Sequence, residues 1–363
     1  MTAIIDAQFM SKAIKLAENG LYTTDPNPHV GCVLVKNGVV IAEGWTQRAG
    51  FAHAEVDALS KTQDASGATA YVSLEPCSHH GRTAPCCDAL IAAGIRRVVT
   101  AMQDPNPLVA GRGLQKLREA GIEVVCGVLE QEASLLNRGF FKRMIQGLPW
   151  IRSKLAMSLD GRTAMASGES QWITSPEARQ DVQRFRAESS AILTGVNTVL
   201  YDDPHLNARV EFDLVQPVKV VLDSNLRMPL TAKMLQDPTE VWIMTCCEDA
   251  ESQQRLRDVG CKVFQVQAVN GRPDLVAVFR VLAELHINTV WVEAGATLNG
   301  ALLESGLVDE WIIYMASCIL GHQGKGLFYL PEVNCMQDKR MLKFMDSRKV
   351  GADIRLSYVM QSA

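Results

Sequence analysis

His53-Ala54-Glu55, then Pro76-Cys77, then Pro85-Cys86 bring one imidazole, two thiols and a carboxylate into a short span of chain. One His and two Cys supply three zinc ligands and leave a fourth position open for water, which marks a catalytic rather than a closed structural site. Zinc draws the pKa of such a water toward neutrality. Glu55, two residues beyond the His ligand, is placed to carry a proton between that water and a substrate; a purely structural metal site needs no such group. Eight residues separate the second and third ligands: Ser78-His79-His80-Gly81-Arg82-Thr83-Ala84-Pro85. That insert leaves both Cys86 and Cys87 open as the third ligand. Cys86 is preferred because it follows Pro85 and opens a helix, whose N-terminus favours a thiolate. His79 and His80 could meet metal, substrate or solvent, and neither is assigned as a ligand.

Outward from this cluster, apolar spacing predicts a helix over Asp6–Ala17 and a rigid turn at Asp25-Pro26-Asn27-Pro28. Two strands follow, Val30–Val35 and Val39–Glu43, joined by a hairpin turn at Lys36-Asn37-Gly38. Next come a helix at His53–Ser60, a strand at Ala70–Leu74, a helix at Cys86–Ala93 stopped by Gly94, a strand at Arg97–Ala101, a helix at Leu114–Ala120 and a strand at Ile122–Cys126. Alternating strands and helices imply an α/β sheet covered on both faces. The pattern restarts near Gly147-Leu148-Pro149. A strand is expected at Trp150–Met157 and a helix at Pro176–Ala187, then short apolar strands at Ala191–Thr194, Val218–Leu222, Val241–Met244, Thr289–Val292 and Trp311–Tyr314.

Composition agrees with two domains. The chain has 363 residues, of which 47% are hydrophobic, enough to bury a core in each half. Lys+Arg number 36 against 40 Asp+Glu, a formal charge of −4, which gives no field to draw in a nucleic acid but leaves room for a local phosphate pocket. Met1–Phe9 has no basic leader, no apolar run would span a bilayer, and the ten cysteines fit no disulfide framework; Cys86-Cys87 and Cys246-Cys247 are adjacent pairs. A cytoplasmic, reduced protein without a membrane partner is expected.

His-x-Glu followed by Pro-Cys and a further Cys is the pattern of zinc nucleobase deaminases, in which the Glu is not a ligand. Generic motifs say nothing comparable about the second half. Gly111-Arg112-Gly113 is a fragment of a dinucleotide loop with no third Gly, and Gly321-His322-Gln323-Gly324-Lys325-Gly326 lacks the ending of a phosphate-binding loop.

Longer stretches are more specific. They are Pro26-Asn27-Pro28-His29-Val30-Gly31-Cys32-Val33, His53-Ala54-Glu55-Val56, Ser73 through Thr83, Asp104-Pro105-Asn106-Pro107, Lys154 through Arg162, Gly168 through Thr174, Thr198 through Pro204, and Glu293-Ala294-Gly295. Together they resemble the bifunctional riboflavin-biosynthesis deaminase–reductase family over nearly the whole chain. The resemblance implies a cytidine-deaminase-like three-layer domain over 1–147 and a dihydrofolate-reductase-like domain over 148–363, both α/β. It implies zinc and NADPH as cofactors and a homo-oligomer. It implies deamination of a phosphoribosylamino-diaminopyrimidinone, followed by reduction of the open-chain ribose to ribitol.

By the same resemblance Asn27 holds the pyrimidine. Ala156, Trp172, Thr198, Asp202, Ser224 and the segment Gly295-Ala296-Thr297-Leu298-Asn299-Gly300-Ala301 meet NADPH. Ser170, Arg186, Leu206, Arg209 and Glu293 meet substrate. The residue chemistry is compatible: Arg186 and Arg209 suit a sugar phosphate, Gly295 allows backbone N–H groups to approach a pyrophosphate, and Lys154 can polarise or protonate the carbonyl being reduced. Without the resemblance the plainer readings are a solvated Arg186, a core Trp172 and simple turns at Asp160-Gly161 and Asp202-Asp203-Pro204. Two other functions compete, a deaminase of nucleic acid and a non-catalytic zinc protein; the charge balance opposes the first and Glu55 the second.

Overall fold

The computed structural model of the chain describes residues 2–79, 84–107 and 109–361. The chain divides into two compact units, Met1–Gly147 with Asp213–Val215, and Leu148–Phe212 with Gln216–Ala363.

The first unit is built on a five-stranded sheet that runs, edge to edge, Val39–Trp45, Gly31–Lys36, Thr69–Val72, Arg97–Thr100, Glu123–Cys126. The first two pairings are antiparallel and the last two parallel. Side chains alternate across the pleat. Cys32, Leu34, Ala70 and Val72 face one buried cluster with Ala54, Ala58, Leu90 and Leu117, while Val33, Val35, Tyr71 and Val99 face another with Met10, Ala13 and Ala133. Helices therefore cover both faces, giving the expected three layers. Two glycines permit close helix–strand contact. A Cβ on Gly31 would fall 1.9 Å from the Ala13 carbonyl oxygen, and one on Gly44 would fall 2.4 Å from backbone atoms of Ala54 and Ala58. Gly44 thus seats the Ala54–Leu59 helix, and the Trp45 N–H donates to Asp57 Oδ2 at 3.1 Å to hold its angle. Two helices the sequence reading left unassigned, Glu130–Leu136 and Arg138–Gln146, close the unit.

The second unit carries a nine-stranded sheet in the order Lys262–Gln265, Val241–Thr245, Val218–Leu222, Ala191–Gly195, Thr289–Glu293, Trp150–Ser158, Glu310–Ala316, Asp353–Met360, Leu342–Val350. The first seven strands are parallel; the last two form an antiparallel edge hairpin. The helices Leu275–Glu284 and Ala296–Ser305 pack on one face, Pro176–Ala187 and Ala250–Asp258 on the other. This is the expected α/β architecture, a mostly parallel sheet covered by helices on both faces. In such sheets ligands bind beyond the carboxyl ends of the strands. All ten cysteines are free thiols. No helix among the described residues is long and apolar enough to cross a membrane.

Candidate functional site

The Ala54–Leu59 helix starts at His53, whose extended backbone turns the imidazole out of the helix end. The Cys86–Ala92 helix starts at Pro85. These two helix beginnings meet the turn after Glu75-Pro76. There His53 Nδ1 lies 3.6 Å from Cys77 Sγ and 3.3 Å from Cys86 Sγ. The three atoms lie within 4.8 Å of one another, the only such group of three metal-binding side chains among the described residues. Zn–N and Zn–S bonds of about 2.0 and 2.3 Å at tetrahedral angles require N···S edges of about 3.5 Å. The spacing and the soft N/S donor set therefore fit zinc.

Cys87 is excluded as a ligand: its thiol turns inward and donates to the carbonyls of Pro76 (3.2 Å) and Gly113 (3.5 Å). His79 is exposed and outside the cluster, and His80 lies outside the described residues. Glu55 is 3% exposed beside this cluster. Burial first, then the Cys77 thiolate, raises its pKa to about 7.

Asn27 sits half-buried on the loop before the Gly31–Lys36 strand. That loop is tied down by Asn137, whose side chain accepts from His29 N–H (2.7 Å) and donates to the His29 carbonyl (2.8 Å). Asn137 is 3% exposed and carries no motif, so the sequence reading missed it. The Gly111-Arg112-Gly113 fragment also belongs here and not to a dinucleotide loop. Gly111 takes a left-handed φ of 78° at the start of the Arg112–Glu119 helix, and a Cβ on Gly113 would fall 2.1 Å from the Pro76 carbonyl oxygen.

In the second unit a cleft of about 2140 Å³ opens beyond the carboxyl ends of the parallel strands. Lys154, Ala156, Ser170, Trp172, Arg186, Thr198, Asp202, Leu206, Arg209, Ser224 and Glu293 all line it, and so do Gly295 to Asn299 and Ala301. Gly300 does not: a Cβ there would fall 2.0 Å from the Tyr329 carbonyl oxygen, so this glycine serves helix packing. The Ala296–Ser305 helix starts at Gly295 with no side-chain cap, and a Cβ on Gly295 would meet nothing within 4 Å. Open N–H groups and open space at that helix start suit a pyrophosphate. The buried Asn299 anchors the segment, accepting from Ser153 Oγ (2.7 Å) and donating to the Ala294 carbonyl (2.8 Å). Trp172 is 70% exposed under the Arg179 guanidinium, so it is no core residue.

Arg186 departs from the expectation of a free phosphate clamp. Its Nε and Nη2 donate to Glu293 Oε1 (2.6 Å) and Oε2 (2.8 Å), and Nη1 donates to the Asn207 carbonyl (2.9 Å). Of the two arginines, Arg209 is the exposed one, bonded through its side chain to Asn207 Oδ1 at 3.3 Å. Leu206 is 2% exposed with φ 47°, so what it offers the cleft is backbone held in an unfavourable conformation. Lys154 and Glu293 are register partners on neighbouring strands. Burial lowers the Lys154 pKa while Glu293 opposes the shift.

A buried Glu at a His/Cys/Cys cluster in one α/β unit, and a strand-end cleft with an uncapped helix start in the other, define a zinc-type deaminase region joined to a reductase. Residues 4–102 match the cytidine and deoxycytidylate deaminase zinc-binding region, and residues 149–356 match the RibD C-terminal domain. The riboflavin biosynthesis protein RibD of Escherichia coli K12 is 51% identical across 98% of this chain and 99% of its own length, and that of Haemophilus influenzae is 48% identical across 97% of each. A solved RibD structure from Acinetobacter baumannii superposes with a TM-score of 0.93 at 46% identity, covering 99% of this chain and all of that one. One from Thermotoga maritima, described as a diaminohydroxyphosphoribosylaminopyrimidine deaminase/5-amino-6-(5-phosphoribosylamino)uracil reductase, gives 0.88 at 32% identity, with 99% and 100% covered. The chain belongs to the RibD family of bifunctional riboflavin-biosynthesis enzymes.

Proposed function

We propose that residues 1–147 deaminate 2,5-diamino-6-(5-phosphoribosylamino)pyrimidin-4-one, and that residues 148–363 reduce the ribosyl group of the product with NADPH, giving 5-amino-6-(5-phosphoribitylamino)uracil. The observation that carries this reading is the convergence of His53, Cys77 and Cys86 beside buried Glu55. His53, Cys77 and Cys86 would hold zinc, which when bound supplies a water that ionises near neutral pH. Glu55 takes one proton from the attacking water and passes it to the ring nitrogen, then takes the second from the new hydroxyl group and passes it to the amino group that leaves as ammonia; the side chain is buried beside the cluster. Asn27, on its braced loop, orients the pyrimidine.

In the second unit NADPH supplies hydride when bound. Ala156, Trp172, Thr198, Asp202, Ser224 and the Gly295 to Asn299 helix start, with Ala301, hold it. Lys154 donates a proton to the sugar oxygen, Arg209 receives the phosphate, and Glu293 with Arg186, Ser170 and Leu206 shapes the sugar pocket. We also take the protein to be a cytoplasmic homo-oligomer. Ten unpaired thiols suit a reducing compartment, and the Leu342–Val350 edge strand exposes Phe344 and Met345 along an open edge.

The test is one coupled assay on zinc-loaded protein, following ammonia release and NADPH oxidation together. Ammonia release followed by NADPH consumption is expected. Ammonia without NADPH consumption would remove the reductase assignment, and neither signal would remove both.

A further inference from the structure

We infer that Glu75 is a positioning residue for the metal ligand Cys77, acting through a carboxylate that takes no part in proton transfer; the inference rests on the zinc site proposed above. Glu75 is 4% exposed. Its Oε1 accepts the N–H groups of Gly113 (2.8 Å) and Leu114 (3.2 Å), and its Oε2 accepts those of Asp104 (3.0 Å) and Gly111 (2.9 Å). An ionised carboxylate offers about four lone-pair sites, so every one is filled by backbone and none faces substrate. Two donors are otherwise open N–H groups at the start of the Arg112–Glu119 helix, whose N-cap Gly111 has no side chain to serve them.

The chain leaves this anchor straight into the ligand. Pro76 has a fixed φ. Its carbonyl lies against Gly113 and accepts the Cys87 thiol at 3.2 Å. The Cys77 carbonyl then accepts Cys87 N–H (3.1 Å), and Cys77 Sγ accepts Cys86 N–H (3.3 Å). Cys77 is therefore gripped from two sides, by the Glu75 anchor before it and by the Cys86–Cys87 helix start after it. Only one of these grips comes from another metal ligand. Releasing the Glu75 side frees the turn that sets the 3.6 Å spacing between Cys77 and His53.

The experiment uses the full chain with Glu75→Gln and Glu75→Asp. Gln turns an NH2 toward two backbone N–H donors; Asp keeps the charge but falls one methylene short. Zinc affinity is read by competition with a chromophoric chelator, and the site by the thiolate-to-metal absorption of the cobalt-loaded protein. NADPH oxidation with the deaminated substrate checks that the second unit is intact. Supporting groups of metal ligands typically alter affinity 10- to 100-fold. E75Q is expected to lose about that much zinc affinity and to shift the cobalt spectrum, with E75D between it and wild type. Wild-type affinity and spectrum in E75Q, even with lowered thermal stability, would overturn the inference. If E75Q does not fold, E75D decides by the same readouts. A wild type that takes up no metal would instead sink the zinc-site reading itself, and this inference with it.

Discussion

Replacing Glu293 by Gln tests the electrostatic centre of the reductase cleft. The Arg186 and Glu293 side chains are 10% and 16% exposed, and their contact is bidentate, with Trp291 Nε1 adding a third bond to Glu293 Oε1 at 2.8 Å. Burial alone would raise the Glu293 pKa, but Arg186, Lys154 and Trp291 overcome it and bring it from 4.5 to about 2. That displacement corresponds to about 3 kcal/mol. Removing one partner of a buried ion pair typically costs about 3–5 kcal/mol, so the two routes agree. E293Q should therefore lose about 3 kcal/mol of second-unit stability at pH 7, or roughly 6–12 °C in Tm for a domain of this size. A depressed carboxylate contributes stability that is complete above its unfolded pKa and lost as pH falls through the folded one. The gap between wild type and E293Q should hold down to about pH 5 and shrink to less than half by about pH 3. Tryptophan fluorescence is a suitable probe: of the six tryptophans only Trp45 lies in the first unit, and Trp291 stacks on Phe185 at 4.8 Å. Equal stability at pH 7, or a gap that stays constant from pH 7 to 3, would refute this account of the pair.

Three further outcomes are expected. Glu55→Gln should retain zinc while deamination falls by roughly 10²- to 10⁴-fold; metal analysis beside ammonia release checks it, and near-normal turnover would remove Glu55 as the proton carrier. Cys86→Ser should lose zinc, whereas Cys87→Ser should keep it, because the Ser hydroxyl can still donate toward the Pro76 carbonyl; equal metal content in the two variants would contradict the assignment of Cys86. Lys154→Met should abolish NADPH oxidation and spare ammonia release, and unchanged reductase turnover would end its proposed role.

The zinc cluster was legible because ligand chemistry restricts residue type and helix starts restrict spacing. His53, Glu55, Cys77 and Cys86 announce themselves within a few residues of one another or of a proline. Even the choice of Cys86 over Cys87 followed from where a helix begins after Pro85. What braces the cluster was not legible. Glu75, Asn137, Gly44 and Gly113 act on backbone groups from 10 to 108 residues away, and nothing near them in sequence shows which backbone groups folding will bring. The edge strand Leu342–Val350 was missed for a different reason: nearly all of it is exposed, so no buried face imposes alternation on its residues.

The reductase cleft was illegible from pattern alone because of how a parallel sheet makes a site. Each strand end supplies one or two groups: Lys154 and Ala156 from one, Gly195 and its following helix from another, Leu222 with Ser224 from a third, Glu293 with Gly295 from a fourth. Neighbours in the cleft are therefore dozens of residues apart in sequence, and no local spacing relates them. Only register relates Lys154 to Glu293. The same holds for Arg186. Its position on a helix face is visible in sequence, but that its guanidinium is already taken by Glu293 depends on the pairing of strands more than a hundred residues apart. In such a site the partners a charged residue meets across the strand ends, here the Glu293 carboxylate on Arg186, decide how much of it a ligand can reach.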